Sequence, residues 1–576
     1  MTRRDTIGPR PKVTPDMAYV RPRAPHAVDL ALDGNEGSRP SIDPMLRALG
    51  AAGPELLRRY PDAEGLEAAL ASRYRVERSR VLVTAGADEA IDRCCRAFLE
   101  PGRSILIPEP GFEMLERYAA LAGGGVVRVK WPAGPFPTTS VLERLDDRVA
   151  IVAVVSPNNP TGEIATRNDV QRLAAAAPGA LILLDHAYVE YADEDLTAAA
   201  LALPNVVVTR TFSKAWGLAG CRVGFALGPA DVIGALRAAG GPYPVAAPSV
   251  LLAASQLEHG EGAVDAHVAR VRSERTELTA LLRLRGVAAR DSQANFVYAD
   301  FGRRAPFVHA ALAAQGILVR SFAHRPGASS GLRVTLPGEA ASFARLTSAL
   351  DVALAPEALL LDLDGVLADV EASYRACVLA TARTFGVTLT RDDVLRVTME
   401  GNANNDWLLT QRLLAMHGVE RSLDETTACY QSHYIGTGGT PGLRESERLI
   451  VERSALERLA RRLPIAIVTG RPRDEAEWFL DRAGIRDLVQ SVVAMDDAPA
   501  KPDPAPVRLA MQRLCVARAW MVGDTPDDVR AARGAGALAI GIPAPVEPRE
   551  RVAGPLIKAG AAVVLDALDD LLEVLP

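Results

Sequence analysis

The chain has 576 residues, 48% of them hydrophobic and 24% charged, with a formal net charge of −6. One hydrophobic core stops growing at about 250–300 residues, so two or three domains are expected. The mild acidic balance gives no electrostatic reason for a nucleic-acid or membrane partner, and six cysteines (Cys94, Cys95, Cys221, Cys377, Cys429 and Cys515) without a CxxC pair read as buried reduced thiols.

From the N-terminus onward, Arg and Pro occur without an apolar h-region, so no signal peptide is expected and the protein reads as cytoplasmic. Between about 80 and 340, short apolar runs alternate with helical stretches; examples are 81–84, 104–107, 151–155, 181–184 and 206–208. Such runs suit strands buried on both faces, hence an α/β fold with a mostly parallel sheet wrapped by helices. The uncharged stretch 238–257 is long enough to span a bilayer, but Pro242, Pro244, Pro248 and the adjacent Gly240 and Gly241 break it. After Pro356 the pattern restarts with apolar runs at 358–363, 465–468, 519–522 and 537–540. About 100 residues rich in helix formers separate the first two runs. The boundary is therefore placed at 1–355 and 356–576, with a helical cap at about 371–460.

The first group of chemically meaningful residues lies at the ends of the early strands. Gly86-Ala87-Asp88-Glu89 opens a helix, whose free N–H groups suit a phosphate. Phe112 can stack on a ring or serve as a core aromatic. Asn159, after the run 151–155, can donate a hydrogen bond to a phenolate oxygen. Asp185, in Asp185-His186-Ala187-Tyr188, can pair with a protonated pyridine nitrogen and keep the ring an electron sink. Lys214 follows another strand, amid Thr211, Ser213 and Arg222. An amine there can form a Schiff base while hydroxyls and a guanidinium hold a phosphate. Taken alone, a loop lysine is usually a solvated charge.

Together with Asn35-Glu36, Arg59-Tyr60-Pro61-Asp62, Ser292-Gln293-Ala294-Asn295-Phe296, Gly316-Ile317-Leu318-Val319-Arg320 and Gly331-Leu332-Arg333-Val334-Thr335, these segments make residues 15–350 resemble fold type I aminotransferases, specifically the histidinol-phosphate aminotransferase branch. The resemblance implies a large mostly parallel-sheet domain plus a small α/β domain, pyridoxal 5′-phosphate, and a homodimer in which Tyr60 reaches the neighbouring subunit's cofactor phosphate. It makes Lys214 the Schiff-base and acid/base residue. It places Ala87, Asp88, Phe112, Asn159, Asp185, Tyr188, Thr211, Ser213 and Arg222 at the cofactor, and Asn35, Arg320 and Arg333 at the substrate, with Tyr19 assisting. The chain departs from the family pattern at Gly37-Ser38, Phe112 and His186, on the expected substrate side.

The second group begins at Leu361-Asp362-Leu363-Asp364-Gly365. Asp362 can attack phosphorus and become an aspartyl phosphate, and Asp364 can protonate the leaving oxygen and then activate water. Thr469 and Gly470 offer a hydroxyl and N–H groups to the phosphoryl oxygens, and Lys501 neutralises developing charge. Asp362, Asp364, Asp524 and Asp528 form an oxygen-ligand set suited to Mg²⁺. A solvated acidic loop is the bland alternative for the first motif. The four motifs, in this order, resemble a haloacid dehalogenase-like phosphatase with a Rossmann-like core and an inserted helical cap. The same residues serve phosphomutases, so transfer to water or to a sugar stays open. In the cap, the Gly401–Trp407 segment reads as substrate-facing or as a surface turn.

The two resemblances together imply a bifunctional enzyme acting on a phosphorylated amino or keto compound and an amino donor, with histidinol phosphate as the leading case. The same chemistries on another phosphorylated substrate, or a non-catalytic cofactor-binding regulator, are the alternatives.

Overall fold

The computed structural model describes residues 14, 18, 24–325 and 327–576. Tyr19 lies outside them. The described chain forms two compact units.

The first unit comprises Ala31–Phe301 and Val319–Arg345. Its sheet has seven strands in the order Val81–Thr84, Gly224–Leu227, Val206–Thr211, Leu181–Asp185, Val149–Val155, Ser104–Glu109 and Gly125–Lys130. Gly224–Leu227 runs antiparallel to both neighbours; the other pairs are parallel. The central run Val149–Val155 is buried at every position, which explains why it carries no polar alternation: helices cover both faces. Thr84, Val155, Asp185 and Thr211 end parallel strands, so the loops bearing Gly86, Asn159, Lys214 and the Asp185 carboxylate itself meet at one sheet edge, where open α/β sheets bind ligands. A smaller sheet pairs Phe296–Asp300 with Gly331–Thr335 antiparallel, and sets Arg320 directly opposite Arg333.

The second unit includes Gly302–Leu318 and Leu346–Pro576. Its sheet is parallel throughout, in the order Ser491–Val493, Ile465–Val468, Ala358–Leu361, Ala519–Gly523 and Leu538–Gly541. The first strand ends at Leu361 rather than 363, which frees Asp362 to Asp364 for the loop. The three-residue edge strand Ser491–Val493 is too short to announce itself in sequence. Four α-helices form most of the cap: Ala376–Thr384, Arg391–Glu400, Asp406–Met416 and Leu423–Ile435. An antiparallel pair, Ala368–Asp369 with Arg448–Leu449, closes the insertion. The helix Arg453–Ala460, which the sequence reading put in the cap, therefore follows the closing strand.

Within this unit Trp520 is fully buried. Its indole N–H donates to the Val352 carbonyl at 2.8 Å, and its ring lies 4.8 Å from that of Phe307. Residues well before position 356 thus complete the packing around the strand that leads to Asp524. Phe307→Ala is expected to destabilise this unit by about 3 kcal/mol, since it opens a cavity beside Trp520; urea unfolding followed by tryptophan fluorescence measures it.

No helix among the described residues is long and apolar enough to cross a membrane. The stretch 238–257 is divided between helices Ala230–Ala239 and Ala247–His259. Cys94, Cys95 and Cys377 are buried as expected, whereas Cys515 is exposed and Cys221 and Cys429 are partly so.

Candidate active sites

The strand ends of the first unit open on a cavity of about 350 Å³. Asn35, Ala87, Asp88, Phe112, Asn159, Asp185, Tyr188, Thr211, Ser213, Lys214, Arg222, Arg320 and Arg333 all line it. At its floor, Lys214 Nζ donates to the Gly34 carbonyl at 2.9 Å and lies 5.6 Å from the centre of the Tyr188 ring. Burial first, and the Arg333 charge next, push the Lys214 amine down to about 8.

That shift sets a testable sign. Below pH 8 the lysine is protonated in both folded and unfolded chains, and the folded state carries the whole cost of enclosing the charge. Above its ordinary value of 10.5 it is neutral in both. The stability deficit of the cofactor-free chain relative to Lys214→Met is therefore expected to shrink as pH rises from 8 to 10.5. Thermal unfolding of both proteins across that range checks it.

One end of the cavity fits a phosphate. Arg222 Nη1 donates to Ser213 Oγ at 3.3 Å, Nη2 meets Asp88 Oδ2 at 3.1 Å, and Thr211 Oγ1 donates to Ser213 Oγ at 2.9 Å. These groups face the first turn of helix Gly86–Phe98. Gly86 has φ +80°, and a Cβ there would lie 2.7 Å from Arg222 Nη2. A Cβ on Gly224 would meet the Ala87 nitrogen at 2.6 Å. Both glycines keep the amide cradle open.

Asp185 is buried, accepts from Thr209 Oγ1 at 3.1 Å and from the Ala187 amide at 3.2 Å, and is pushed up to about 6 chiefly by burial. A buried carboxylate held this way suits a cationic ring nitrogen. Tyr188 accepts from Asn35 Nδ2 at 3.0 Å, while Asn35 is fixed by Thr335 Oγ1 at 2.8 Å and through its carbonyl by Asn295 Nδ2 at 3.2 Å. Arg333 donates to Asn159 Oδ1 at 2.5 Å and to the Asp33 carbonyl at 2.6 Å. Its Nε is buried with no hydrogen-bond partner, a donor left for an anionic ligand. Arg320 pairs with Glu113 at 3.4 Å.

Tyr60, expected at a neighbouring subunit's cofactor, lies outside this cavity; it is 80% exposed and stacked on Tyr243 at 4.7 Å. One expectation changes. His186 does not face the substrate side: it is buried against Thr197, 3.2 Å away, because the strand end alternates its side chains and sends Asp185 to the cavity instead. Gly37 has a packing reason, since a Cβ there would lie 1.7 Å from the Lys214 carbonyl oxygen. Tyr118 and Arg325 also line the cavity; neither sits in a recognisable motif, so sequence offered no signal for them.

In the second unit, single carboxylate oxygens of Asp362, Asp524 and Asp528 lie within 4.8 Å of one another, all buried. Lys501 Nζ bridges Asp362 Oδ1 at 2.9 Å and Asp528 Oδ1 at 2.5 Å, and donates to the Val468 carbonyl at 3.0 Å. Three carboxylates against one ammonium leave a charge that a divalent cation complements. Burial, and after it the Asp528 charge, push Asp362 well above the usual carboxylate range. The donor set, all hard oxygen, fits Mg²⁺.

Asp364, expected among the ligands, keeps its side chain apart from this trio. Its carboxylate is drawn away by Arg471, which donates from Nε at 2.8 Å and from Nη2 at 2.5 Å. Arg471 is itself fully buried, also pairs with Glu447 at 2.9 Å, and lies over the Tyr374 ring at 4.4 Å. Thr469 Oγ1 accepts from the Arg471 amide at 3.1 Å. Gly470 lies against Asn404, where a Cβ would be 2.2 Å from the Asn404 carbonyl oxygen. Asn404, Asp406 and Trp407 line a small cleft with Asp364 and Gly470, so the cap segment faces the site rather than forming a plain surface turn.

Comparison with known proteins agrees with this geometry. The family model for class I and II aminotransferases matches residues 33–350, and that for haloacid dehalogenase-like hydrolases matches residues 356–536. Histidinol-phosphate aminotransferase 2 of Rhizobium meliloti is 34% identical over 345 residues, covering 58% of this chain and 96% of that protein. A Phytophthora nicotianae protein named imidazoleglycerol-phosphate dehydratase is 42% identical over 237 residues, or 38% of this chain; the chain spans about half, 52%, of that relative. Among solved structures, histidinol-phosphate aminotransferase from Sinorhizobium meliloti in complex with pyridoxal-5′-phosphate gives a TM-score of 0.51 at 24% identity, over 56% of this chain and 90% of that one. A putative histidinol-phosphate aminotransferase from Erwinia carotovora atroseptica gives 0.52 at 23%, over 57% and 97%. At such identities these two establish the fold alone. The chain belongs to the class I and II aminotransferase family over residues 33–350 and continues into a haloacid dehalogenase-like hydrolase domain over 356–536.

Proposed function

We propose that the chain is a bifunctional enzyme that transaminates a phosphorylated keto compound with glutamate and then hydrolyses the phosphate ester of the amine it has made. The observation that carries this reading is that one chain holds two residue sets, each complete for its own chemistry: Lys214 with its phosphate cradle, and Asp362 with Asp364, Lys501 and the aspartate trio.

In the first site, Arg222, Ser213, Thr211 and the amides of Ala87 and Asp88 would hold the phosphate of pyridoxal 5′-phosphate. Asp185 would hold its ring nitrogen, with Asn159 and Tyr188 at its phenolate side. When bound, that cofactor supplies an electron sink for charge developing at the substrate Cα. Lys214 takes the proton from Cα of the amino donor and later delivers one to Cα of the keto compound, a task favoured by an amine whose proton affinity is already lowered. Arg333 and Arg320 orient the anionic end of the substrate, carboxylate or phosphate in turn.

In the second site, an Asp362 oxygen attacks phosphorus as the bond to the alcohol oxygen breaks, and Asp364 delivers the proton to that oxygen. Water, deprotonated by Asp364, then releases phosphate and restores Asp362. Mg²⁺ held by Asp362, Asp524 and Asp528 would offset the phosphoryl charge, and Lys501 holds Asp362 and Asp528 in register.

The named relatives favour imidazole acetol phosphate as the keto substrate, giving histidinol phosphate and then histidinol. Incubating the protein with that ketone, glutamate, pyridoxal 5′-phosphate and Mg²⁺, with products identified by mass spectrometry, tests the assignment. Absence of both products rejects it. A different phosphorylated amino or keto substrate is the second reading, favoured by the Gly37 segment packed against Lys214. The same reading makes the protein a homodimer: Tyr60 and the exposed side chains of Ile42, Leu46 and Leu57 fit burial against a second copy.

A further inference from the structure

We propose that Asp527 is a positioning residue that anchors cap residues 401–407 to the metal-binding turn, and so governs which leaving groups the phosphatase accepts. The inference rests on reading this site as a phosphatase.

Asp527 lies in the first turn of helix Pro526–Ala535, next to Asp528, and is 1% exposed. It is not one of the three carboxylates that converge on the cation site. Its oxygens turn to the cap instead. Oδ1 accepts from the Asn402 amide at 3.0 Å and Oδ2 from the Ala403 amide at 2.9 Å. Arg530 Nη1 completes the set at 3.2 Å from Oδ1.

Two successive amides reach one carboxylate only because the backbone turns left-handed here. Gly401 has φ +97° and Asn402 +56°, a nest-like arrangement of N–H groups that binds an anion. A Cβ on Gly401 would lie 2.9 Å from Asp527 Oδ1 and 2.1 Å from Arg530 Nη1, so only glycine allows the approach.

Beyond this anchor the segment touches the core again at Asn404 over Gly470, and Asp406 pairs with Arg375 at 3.2 Å. The Asn404 Oδ1 is buried with no hydrogen-bond partner. It stands in the cleft that Asp364 borders, as do Asp406 and Trp407. The leaving oxygen must come to Asp364 to be protonated, so the rest of the leaving group meets this segment. Asp527 therefore acts on the leaving group through the loop, and on neither the phosphoryl group nor the cation.

The test compares wild type, Asp527→Ala and Gly401→Ala in the full chain with Mg²⁺, using histidinol phosphate and acetyl phosphate. The loss of two hydrogen bonds to a charged group is expected to lower kcat/KM for histidinol phosphate by about 30-fold, mostly through KM. Hydrolysis of acetyl phosphate should fall no more than about 3-fold, because its small leaving group barely reaches the loop. Half-saturation by Mg²⁺ should not move, and amide exchange over 401–407 should quicken in both variants. Equal losses on both substrates, a shifted Mg²⁺ dependence, or unchanged exchange would each overturn the anchor. Failure of the phosphatase reading is distinct: wild type itself would then hydrolyse neither ester, and the exchange result would still decide whether Asp527 holds the loop.

Discussion

Lys214→Ala is expected to lower transamination by at least about 10⁴-fold while phosphate-ester hydrolysis by the same chain continues at its full rate. The amine cannot be replaced by its neighbours. Guanidinium groups donate and offer no lone pair to a proton; Arg222 is engaged with Ser213 and Asp88, Arg333 with Asn159 and Asp33. Tyr188 is pushed up by burial, so it too holds its proton. Burial and Arg333 lower the proton affinity of the Lys214 amine, whereas Asp185, pushed up to about 6, is committed to Thr209 and the Ala187 amide. Binding should survive the change better than turnover, because the phosphate cradle around Gly86, Ser213 and Arg222 does not include the amine. Measuring cofactor affinity by fluorescence quenching beside the single-turnover rate separates the two. Retained transamination in Lys214→Ala would remove the residue from the chemistry, whereas loss of both activities would mean that the change unfolds the chain.

Much of this is legible in the sequence. Asp185, Lys214 and Asp362 each follow a run of apolar residues, and a polar side chain at the end of a doubly buried strand has few places to go except a ligand site. Arg471 illustrates what was not legible. It stands in a motif whose threonine and glycine carry the visible signal, yet its partners Asp364 and Glu447 are 107 and 24 residues away, and only the docking of the cap makes a triangle of them. The turn of the Asp364 carboxylate toward Arg471 follows from that triangle, so no spacing rule within Asp362-Leu363-Asp364 reveals it. Asp527 was masked by Asp528 beside it: two adjacent aspartates at a helix start look like one motif, and the pair divides its roles because neighbouring side chains in a first turn point about 100° apart. Trp520 shows the same limit for packing. Its strand was expected, but Phe307 and Val352, which bury it, belong to a stretch that sequence assigns to the other domain.

Asp362→Asn should abolish phosphate-ester hydrolysis by about 10⁴–10⁶-fold and leave transamination intact. The amide has almost the same shape as the carboxylate, so packing at this buried position is kept, but its oxygen is a poor nucleophile and its nitrogen cannot attack phosphorus productively. The change also removes one negative charge from a buried group that Lys501 holds together. Lys501 keeps Asp528, and the two remaining aspartates still face the cation site, so Mg²⁺ binding should weaken rather than vanish. Asp364→Asn makes the informative contrast. It spares the attacking oxygen but removes the proton donor and leaves the buried Arg471 with Glu447 alone. That variant should still take up phosphate from an ester with a good leaving group and release it slowly, so acid-quenched protein is expected to carry a trapped acyl phosphate. Asp362→Asn should carry none. Phosphoprotein in Asp362→Asn, or its absence in Asp364→Asn under the same conditions, would reverse the assignment of nucleophile and acid between these two residues.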